Sequence, residues 1–346
     1  STPQTGVFVD SQVINIGYRT NTLSGVTDNL GQYEYIEGET VTFFIGDMDF
    51  PPVPAAAVVT PLDMADTQDT NDSTVINIIR LLQTLDKDAN PDNGITITET
   101  AGAAAGQVDF ELPVADFEAL PEAINLIGNA GQDVAVSELV AVADAIFHFE
   151  TTLTETPLST GSAVDIPVKE ISVDGSSEEW NGVQPIALDE TDTQSSSTNI
   201  TRLSVASDGD MFYMLIESAG DFAFPHTAAA EYSHYDAFVR FHDDSDCENE
   251  ENGYISVGNF TDSIGGNYHR LRGFFNDGTL ADEENQPTNT ASEGAVLETS
   301  FRLSMLPRDK GNYFTLNAIV SSVAPGQEPS EYDRLTADVC FNLPAL

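Results

Sequence analysis

The first fifty residues alternate between apolar and polar positions. Val7 and Val9, then Val41, Phe43 and Ile45, recur with period two, and Gly- and Asn-rich turns separate the runs. That pattern predicts strands with one buried face. Pro51, Pro52 and Pro54 then interrupt it, because proline removes a ladder donor. From about residue 72 to about 153 the apolar spacing becomes helical. Val75, Ile78, Ile79, Leu82 and Leu85 form one stripe, with Asp72 or Ser73 as the expected N-cap. A second helix is expected after Ser137, with Leu139, Ala143, Ile146 and Leu153 on one face. The stretch 154–164 is rich in Thr, Ser, Pro and Gly, which is linker chemistry. Strand patterns with Gly and Asn turns run from there to the end. The chain therefore reads as a multi-domain α+β protein. Expected are a small β-sandwich-like region at 1–60, a small helical domain at 61–153, a linker at 154–164 and a C-terminal antiparallel β-sandwich at 165–346.

Charge changes the picture more than length does. Asp and Glu total 57 against 12 Lys and Arg, a formal net charge of −45. Nucleic-acid binding needs clustered basic charge to release counterions, so nucleic acid is excluded as a partner. Anionic membrane surfaces would repel the chain as well. Self-repulsion on this scale strains a compact state unless salt screens it or divalent cations neutralise it locally. The expectation is a secreted or outer-surface protein in a salty, Ca²⁺-containing medium such as seawater. The two cysteines, Cys247 and Cys340, are expected to pair in that setting. No run of about 18 apolar residues would span a membrane. The chain starts at Ser1, which reads as a mature or trimmed form, and any lipoprotein-like anchor would precede it.

One segment carries the chemistry of a hard cation. Asp86, Asp88 and Asn90 stand at alternating positions directly after the helical stripe, followed by Asp92, Gly94-Ile95 and Glu99. Ca²⁺ takes six to eight oxygen ligands, and carboxylates at this spacing in a tight loop supply them. The segment resembles a variant EF-hand loop, two residues longer than the standard spacing before Glu99. On that resemblance Asp86, Asp88, Asn90, Asp92, Ile95 and Glu99 are the expected Ca²⁺ set, in a structural rather than a sensor role. A second acidic run, Asp243-Asp244-Ser245-Asp246-Cys247-Glu248, reads either as a solvated loop or as a Ca²⁺ site through Asp243, Asp244 and Asp246.

Four segments of the C-terminal region carry a family resemblance. They are Ser172–Gly182, with Asp174-Gly175 and Trp180; Ser207–Ile216; Tyr235–Asp244; and Leu297–Pro307. In that order they resemble family 9 carbohydrate-binding modules and their DOMON-like relatives. The resemblance implies a β-sandwich that often holds Ca²⁺ and in some members binds glycan. The cellulose-binding members use paired Trp residues, whereas this chain has Trp180 alone. Trp180 therefore reads as a core residue. Tyr232, Tyr235, Tyr254 and Tyr268 read either as ordinary strand or loop packing or as a replacement platform for sugar faces. At the other end of the chain, Thr27–Tyr35 resembles a turn of carboxypeptidase-regulatory β-sandwich modules.

Catalytic signatures are missing from the sequence. It has no His-Glu-x-x-His, no Gly-x-Ser-x-Gly and no phosphate-binding glycine loop. His234 and His242 share one strand face by parity, which admits a copper or zinc site. Abundant carboxylates leave an uncharacterised hydrolase open. The reading that follows is a non-catalytic cell-surface binding or adhesion protein whose partner is a glycan, stabilised by Ca²⁺. The alternative is a structural assembly protein that binds another surface protein through the sandwich.

Overall fold

The structure is a computed structural model. It describes residues 2–158, 163–189, 198–222, 232–248, 251–261, 267–277, 280–283, 288–323, 331–337 and 339–344. The chain divides into two compact units, Ser1–Glu155 and Thr156–Leu346.

The N-terminal unit opens with short strands. These are β1 (Gln4–Phe8), β2 (Val13–Ile14), β3 (Gly17–Arg19), β4 (Ser24–Val26), β5 (Gln32–Tyr35), β6 (Thr40–Ile45), β7 (Met48–Asp49), β8 (Val53–Pro54) and β9 (Val58–Val59). After α1 (Pro61–Ala65) and α2 (Ser73–Leu85) comes β10 (Ile95–Thr96). Helices α3 (Ala101–Ala104), α4 (Val114–Glu118), α5 (Pro121–Asn129) and α6 (Val142–Glu155) complete the unit. The expected alternation appears in β6, where Val41, Phe43 and Ile45 point inward. The turn before β5 closes because Asp28 Oδ1 accepts from the Leu30 and Gln32 amides, with Gly31 in the left-handed region.

Asp72 caps α2, its side chain accepting from the Thr74 and Val75 amides. All five residues of the expected stripe are buried, but so are Asn77, Arg80, Gln83 and Thr84. A helix buried on every side is a core element, and its polar groups need internal partners. Asn77 Nδ2 donates to the Phe110 and Leu112 carbonyls, and Gln83 Nε2 donates to the Asp10 carboxyl. Because α2 is central, one hydrophobic core runs from Phe8 through Ile78 and Leu82 to Leu139. The strands of 1–60 and the helices of 61–153 thus share a core and form one unit instead of two. The last helix also departs from expectation. It starts at Val142 and buries Ala145, Phe149 and Leu153, while Ala143 is exposed and Leu139 lies outside it.

The C-terminal unit is the expected antiparallel β-sandwich. Its strands are β11 (Ala187–Leu188), β12 (Ile200–Ser207), β13 (Met211–Ser218), β14 (Tyr232–His242), β15 (Gly253–Thr261), β16 (Asn267–Phe275), β17 (Leu280–Glu283), β18 (Asn289–Glu293), β19 (Val296–Arg302), β20 (Tyr313–Val323), β21 (Glu331–Thr336) and β22 (Phe341–Asn342). One sheet runs β11-β12-β13-β19-β18. The other runs β17-β16-β15-β14-β20-β21, with β22 also paired to β20. Inner faces alternate as period two demands. Tyr235, Ala237, Val239 and Phe241 of β14 and Phe314, Leu316, Ala318 and Val320 of β20 meet Phe212, Met214 and Ile216 of β13 in one core.

A second, smaller core covers the outer face of the β12-β13-β19 sheet. Ile171, Trp180 and Val183 pack there on Ala206, Tyr213 and Leu215. Trp180 is 0% exposed. Its indole Nε1 donates to Glu298 Oε1 at 2.7 Å, while the Asp174 and Gly175 amides donate to Glu298 Oε2 at 2.9 and 2.7 Å. Gly175 takes a left-handed φ of 91°, and a Cβ there would meet the Glu293 amide nitrogen at 2.8 Å, so only glycine fits the turn. Cys247 and Cys340 form a disulfide with Cα atoms 5.7 Å apart. Among the described residues no helix is long and apolar enough to cross a membrane.

Candidate functional site

The outward face of the β16-β15-β14-β20 strands carries a connected polar–aromatic array. Even-numbered positions of β14 point away from the core, so Asp236, Phe238 and Arg240 stand in a row. Register sets their neighbours: Arg240 faces Tyr254 on β15 and Thr315 on β20, and Phe238 faces Ser256 and Asn317. Tyr254 in turn faces Phe274 on β16.

The rings interlock. Phe238 and Tyr254 meet edge to face at 5.5 Å, and Tyr254 and Phe274 lie 5.3 Å apart. The Arg240 guanidinium stacks 5.6 Å from the Phe238 ring and 5.3 Å from the Tyr254 ring, within cation–π range. It is also held in plane, Nε donating to Asn317 Oδ1 at 3.0 Å and Nη1 to Glu251 Oε2. Phe274 is 39% exposed. Beside this ridge, among the described side chains, β15 carries Ser256 and Gly258 on the same face, small residues next to raised rings. Rigid aromatic faces beside fixed N–H and C=O groups suit a ligand with apolar patches and a hydrogen-bonding rim.

Of the four expected tyrosines, Tyr254 lies in this array. Tyr235 does not: it is 0% exposed and belongs to the sandwich core. Its odd position in β14, in phase with Ala237, Val239 and Phe241, turns it inward. The side chains of Tyr232 and Tyr268 lie outside the described residues. Phe238, Arg240, Phe274 and Asn317 were missed, although the same alternation in 235–241 signals which residues of β14 face out.

The loop after α2 keeps part of the expected metal set together. Asp86 is 1% exposed. Its Oδ2 accepts from the Asn90 amide at 2.8 Å and its Oδ1 from the Thr96 amide at 2.9 Å. Asp88 Oδ1 accepts from the same Asn90 amide, and Asp88 Oδ2 from Asn93 Nδ2. Burial pushes the Asp86 carboxyl above its ordinary range, and the neighbouring Asp88 adds to the rise. Asp88 itself is held below its ordinary range by the Asn93 side-chain amide. The extra residues of the loop form a 3₁₀ turn, Pro91–Asn93. Ile95 enters β10, which pairs in parallel with β2. Glu99 is exposed.

Asp92 is drawn elsewhere. Its Oδ1 lies 3.2 Å from His148 Nδ1, and His148 Nε2 lies 3.0 Å from Ser11 Oγ. The order resembles a Ser-His-carboxylate relay, but Asp92 is 85% exposed and solvent screens its charge. Burial is the main influence on His148 and lowers its basicity. The arrangement ties α6 and the β1–β2 turn to the loop. Among the described residues no group of three or more His, Cys, Asp and Glu side chains is gathered in a metal-holding arrangement. An oxygen-only set of Asp86, Asp88 and Asn90 nevertheless suits a hard cation, since two amide bonds leave a carboxylate further lone pairs.

In the second acidic run, Asp244 Oδ2 and Asp246 Oδ1 both accept from the Glu248 amide, and the Cys247 amide donates to the Asp244 carbonyl. Asp243 is exposed. His234 and His242 do share the outward face of β14, but eight residues of strand separate them by about 26 Å at about 3.3 Å per residue. One metal ion cannot bridge that span. His234 Nε2 instead lies 3.1 Å from Asp236 Oδ2, and His242 Nε2 lies 3.2 Å from Thr315 Oγ1.

No protein-family model matches the chain, and no curated protein matches it. Among solved structures, it is similar to a carbohydrate-binding module of family 9 from Caldicellulosiruptor kristjanssonii in complex with cellotriose. That match has 13% identity and a TM-score of 0.31, and covers 50% of this chain and 83% of that one. It is also similar to a family 9 module from the same organism in complex with glucose, at 15% identity and a TM-score of 0.26, over 49% of this chain and 81% of that one.

Proposed function

We propose that this is a non-catalytic extracellular binding protein, and that the outward face of the β16-β15-β14-β20 strands engages glycan. The observation that carries the reading is the Phe238–Tyr254–Phe274 ridge with Arg240 and Asn317 fixed beside it. Pyranose rings present apolar C–H faces and a rim of hydroxyls. Aromatic faces take the first, and guanidinium and amide groups take the second. The test is calorimetric titration of the protein against neutral and acidic polysaccharides, with and without Ca²⁺. Tyr254→Ala and Arg240→Ala should each weaken binding about ten-fold, or about 1.4 kcal/mol. If the folded protein is silent with every polysaccharide, a protein partner becomes the better reading of this face.

The Asp86 loop is the proposed Ca²⁺ site of the same protein, with Asp86, Asp88 and Asn90 as its oxygen donors. A bound ion would offset the repulsion between two neighbouring carboxylates. An ion that binds only the folded state stabilises by mass action, about 2.7 kcal/mol at a hundred times its dissociation constant. Chelator should therefore lower the melting temperature of the N-terminal unit. Asp86→Ala also removes two amide contacts, so it should destabilise even without metal, but its melting should no longer respond to chelator. Wild-type melting that is unchanged by exhaustive metal removal and by Ca²⁺ added back would dismiss the site.

A further inference from the structure

The N-terminal unit contains a cavity of about 230 Å³, bordered by Arg80, Glu118 and Glu138 and by the apolar side chains of Ile124, Ile127 and Leu139. Cavities for drug-sized ligands run from about 300 to about 1,000 Å³, so this one takes something smaller. Arg80 gives it its chemistry. The residue sits on the central helix α2 and is 5% exposed. Its Nε donates to the Val140 carbonyl at 2.7 Å and its Nη1 to Glu118 Oε2 at 3.1 Å. A guanidinium carries five N–H donors and no acceptor, so these two bonds leave donors on its cavity-facing edge. Cations are scarce in this unit: Arg19, Arg80 and Lys87 are the Lys and Arg residues of positions 1–155. One of the three thus stands at the floor of the cavity, paired on one side with Glu118 and beside an apolar wall whose Ile124 is 47% exposed at the mouth.

The partner is not a simple anion. Glu118 already offsets Arg80, and Glu138 then leaves the rim negative in a chain whose net charge is −45. A plain carboxylate would be repelled by the two glutamates there, and a plain amine would be repelled by the guanidinium. A zwitterion meets both demands. We propose that this cavity binds a free α-amino acid with an aliphatic side chain. Its carboxylate is taken by Arg80, its ammonium by Glu138, and its side chain by Ile124, Ile127 and Leu139. A peptide terminus offers one of the two charges at this spacing but not both.

Calorimetric titration of the whole protein with L-leucine, N-acetyl-leucine and leucinamide tests this. Leucine should bind, and each blocked analogue should bind at least ten-fold more weakly. Glu138 is exposed, so Glu138→Gln should leave the melting temperature unchanged and lower leucine affinity about ten-fold. Four results would each overturn the proposal. They are silence with leucine at millimolar concentration, equal binding of N-acetyl-leucine, equal binding of leucinamide, and unchanged leucine affinity in Glu138→Gln.

Discussion

Replacing Glu298 by alanine is expected to unfold the C-terminal sandwich, or to bring it to the edge of unfolding, while the N-terminal unit keeps its own transition. Glu298 is 0% exposed, yet it lies on the outer face of β19, opposite Leu215 of β13. A carboxylate in such a place is tolerable only if its lone pairs are filled. Three N–H groups fill them: the Trp180 indole and the Asp174 and Gly175 amides. Alanine would strand the Trp180 indole and the Gly175 amide inside the second core, while the Asp174 amide can turn to water, and each buried unsatisfied donor costs about 1–3 kcal/mol. The summed loss, about 2–6 kcal/mol, is a large share of the whole stability of a typical domain, about 5–15 kcal/mol. Glu298→Gln keeps the shape but turns one acceptor into a donor facing other donors, so it should also destabilise, by less. Trp180→Phe removes one donor and leaves one carboxylate lone pair bare, for about 1–3 kcal/mol. Trp180 is the single tryptophan of the chain and is buried in this core, so its fluorescence reports on this unit. The urea midpoint read from that emission should fall in the order wild type, Trp180-retaining Glu298→Gln, Glu298→Ala. A Glu298→Ala unfolding free energy within about 0.5 kcal/mol of wild type would show that the carboxylate does not organise the core.

That network also explains which parts of the fold were legible. The Asp174-Gly175 turn, Trp180 and the 297–307 strand could be picked out as sequence segments, and a core role for Trp180 followed from its being alone. What no local pattern carries is that these segments meet on one carboxylate, because Glu298 is 118 residues from Trp180. Period-two alternation fixed the strands of the sandwich, and it also held the information that turns Tyr235 inward and Phe238 and Arg240 outward. Phase in the strand, not residue type, decides which tyrosine faces out: Tyr235 is in the core and Tyr254 in the outward array. The helical region failed differently. The α2 stripe was visible, but a stripe predicts one buried face, and the partners that let Asn77, Arg80 and Gln83 sink on the other sides come from 10, 110, 112, 118 and 140. Without those contacts the helices look like a separate domain. The metal loop was legible as far as its turn reaches: Asp86, Asp88 and Asn90 are joined by local amide bonds, whereas Asp92 answers to His148 on a helix 56 residues away.

Removing the Cys247–Cys340 disulfide is the other change expected to have a large effect, and its size should depend on salt. The bond closes a loop of 93 residues. In the chain-entropy account a loop of that length restricts the unfolded ensemble by about 4–5 kcal/mol. A Cys247→Ser, Cys340→Ser double variant should therefore lose about that much stability. For a urea slope of about 2 kcal/mol/M, the midpoint of the Trp180 signal would move down by about 2 M. The surroundings of Cys247 add a second term. It sits in a turn with Asp243, Asp244, Asp246 and Glu248, and its own backbone takes a left-handed φ of 54°. Like charges at this spacing repel, and the covalent bond to Cys340, just before β22, holds the turn against that repulsion. Without the bond the turn can relieve it by moving away, so the folded state of the variant becomes less sensitive to screening than that of the wild type. Raising the ionic strength from about 0.1 M to about 1 M shortens the screening length from about 10 Å to about 3 Å. The wild type should then gain stability, while the variant changes less, so the difference between them widens with salt. Equal salt responses in the two proteins would show that the bond acts through chain entropy alone. A reduced protein as stable as the oxidised one would remove the entropic account as well.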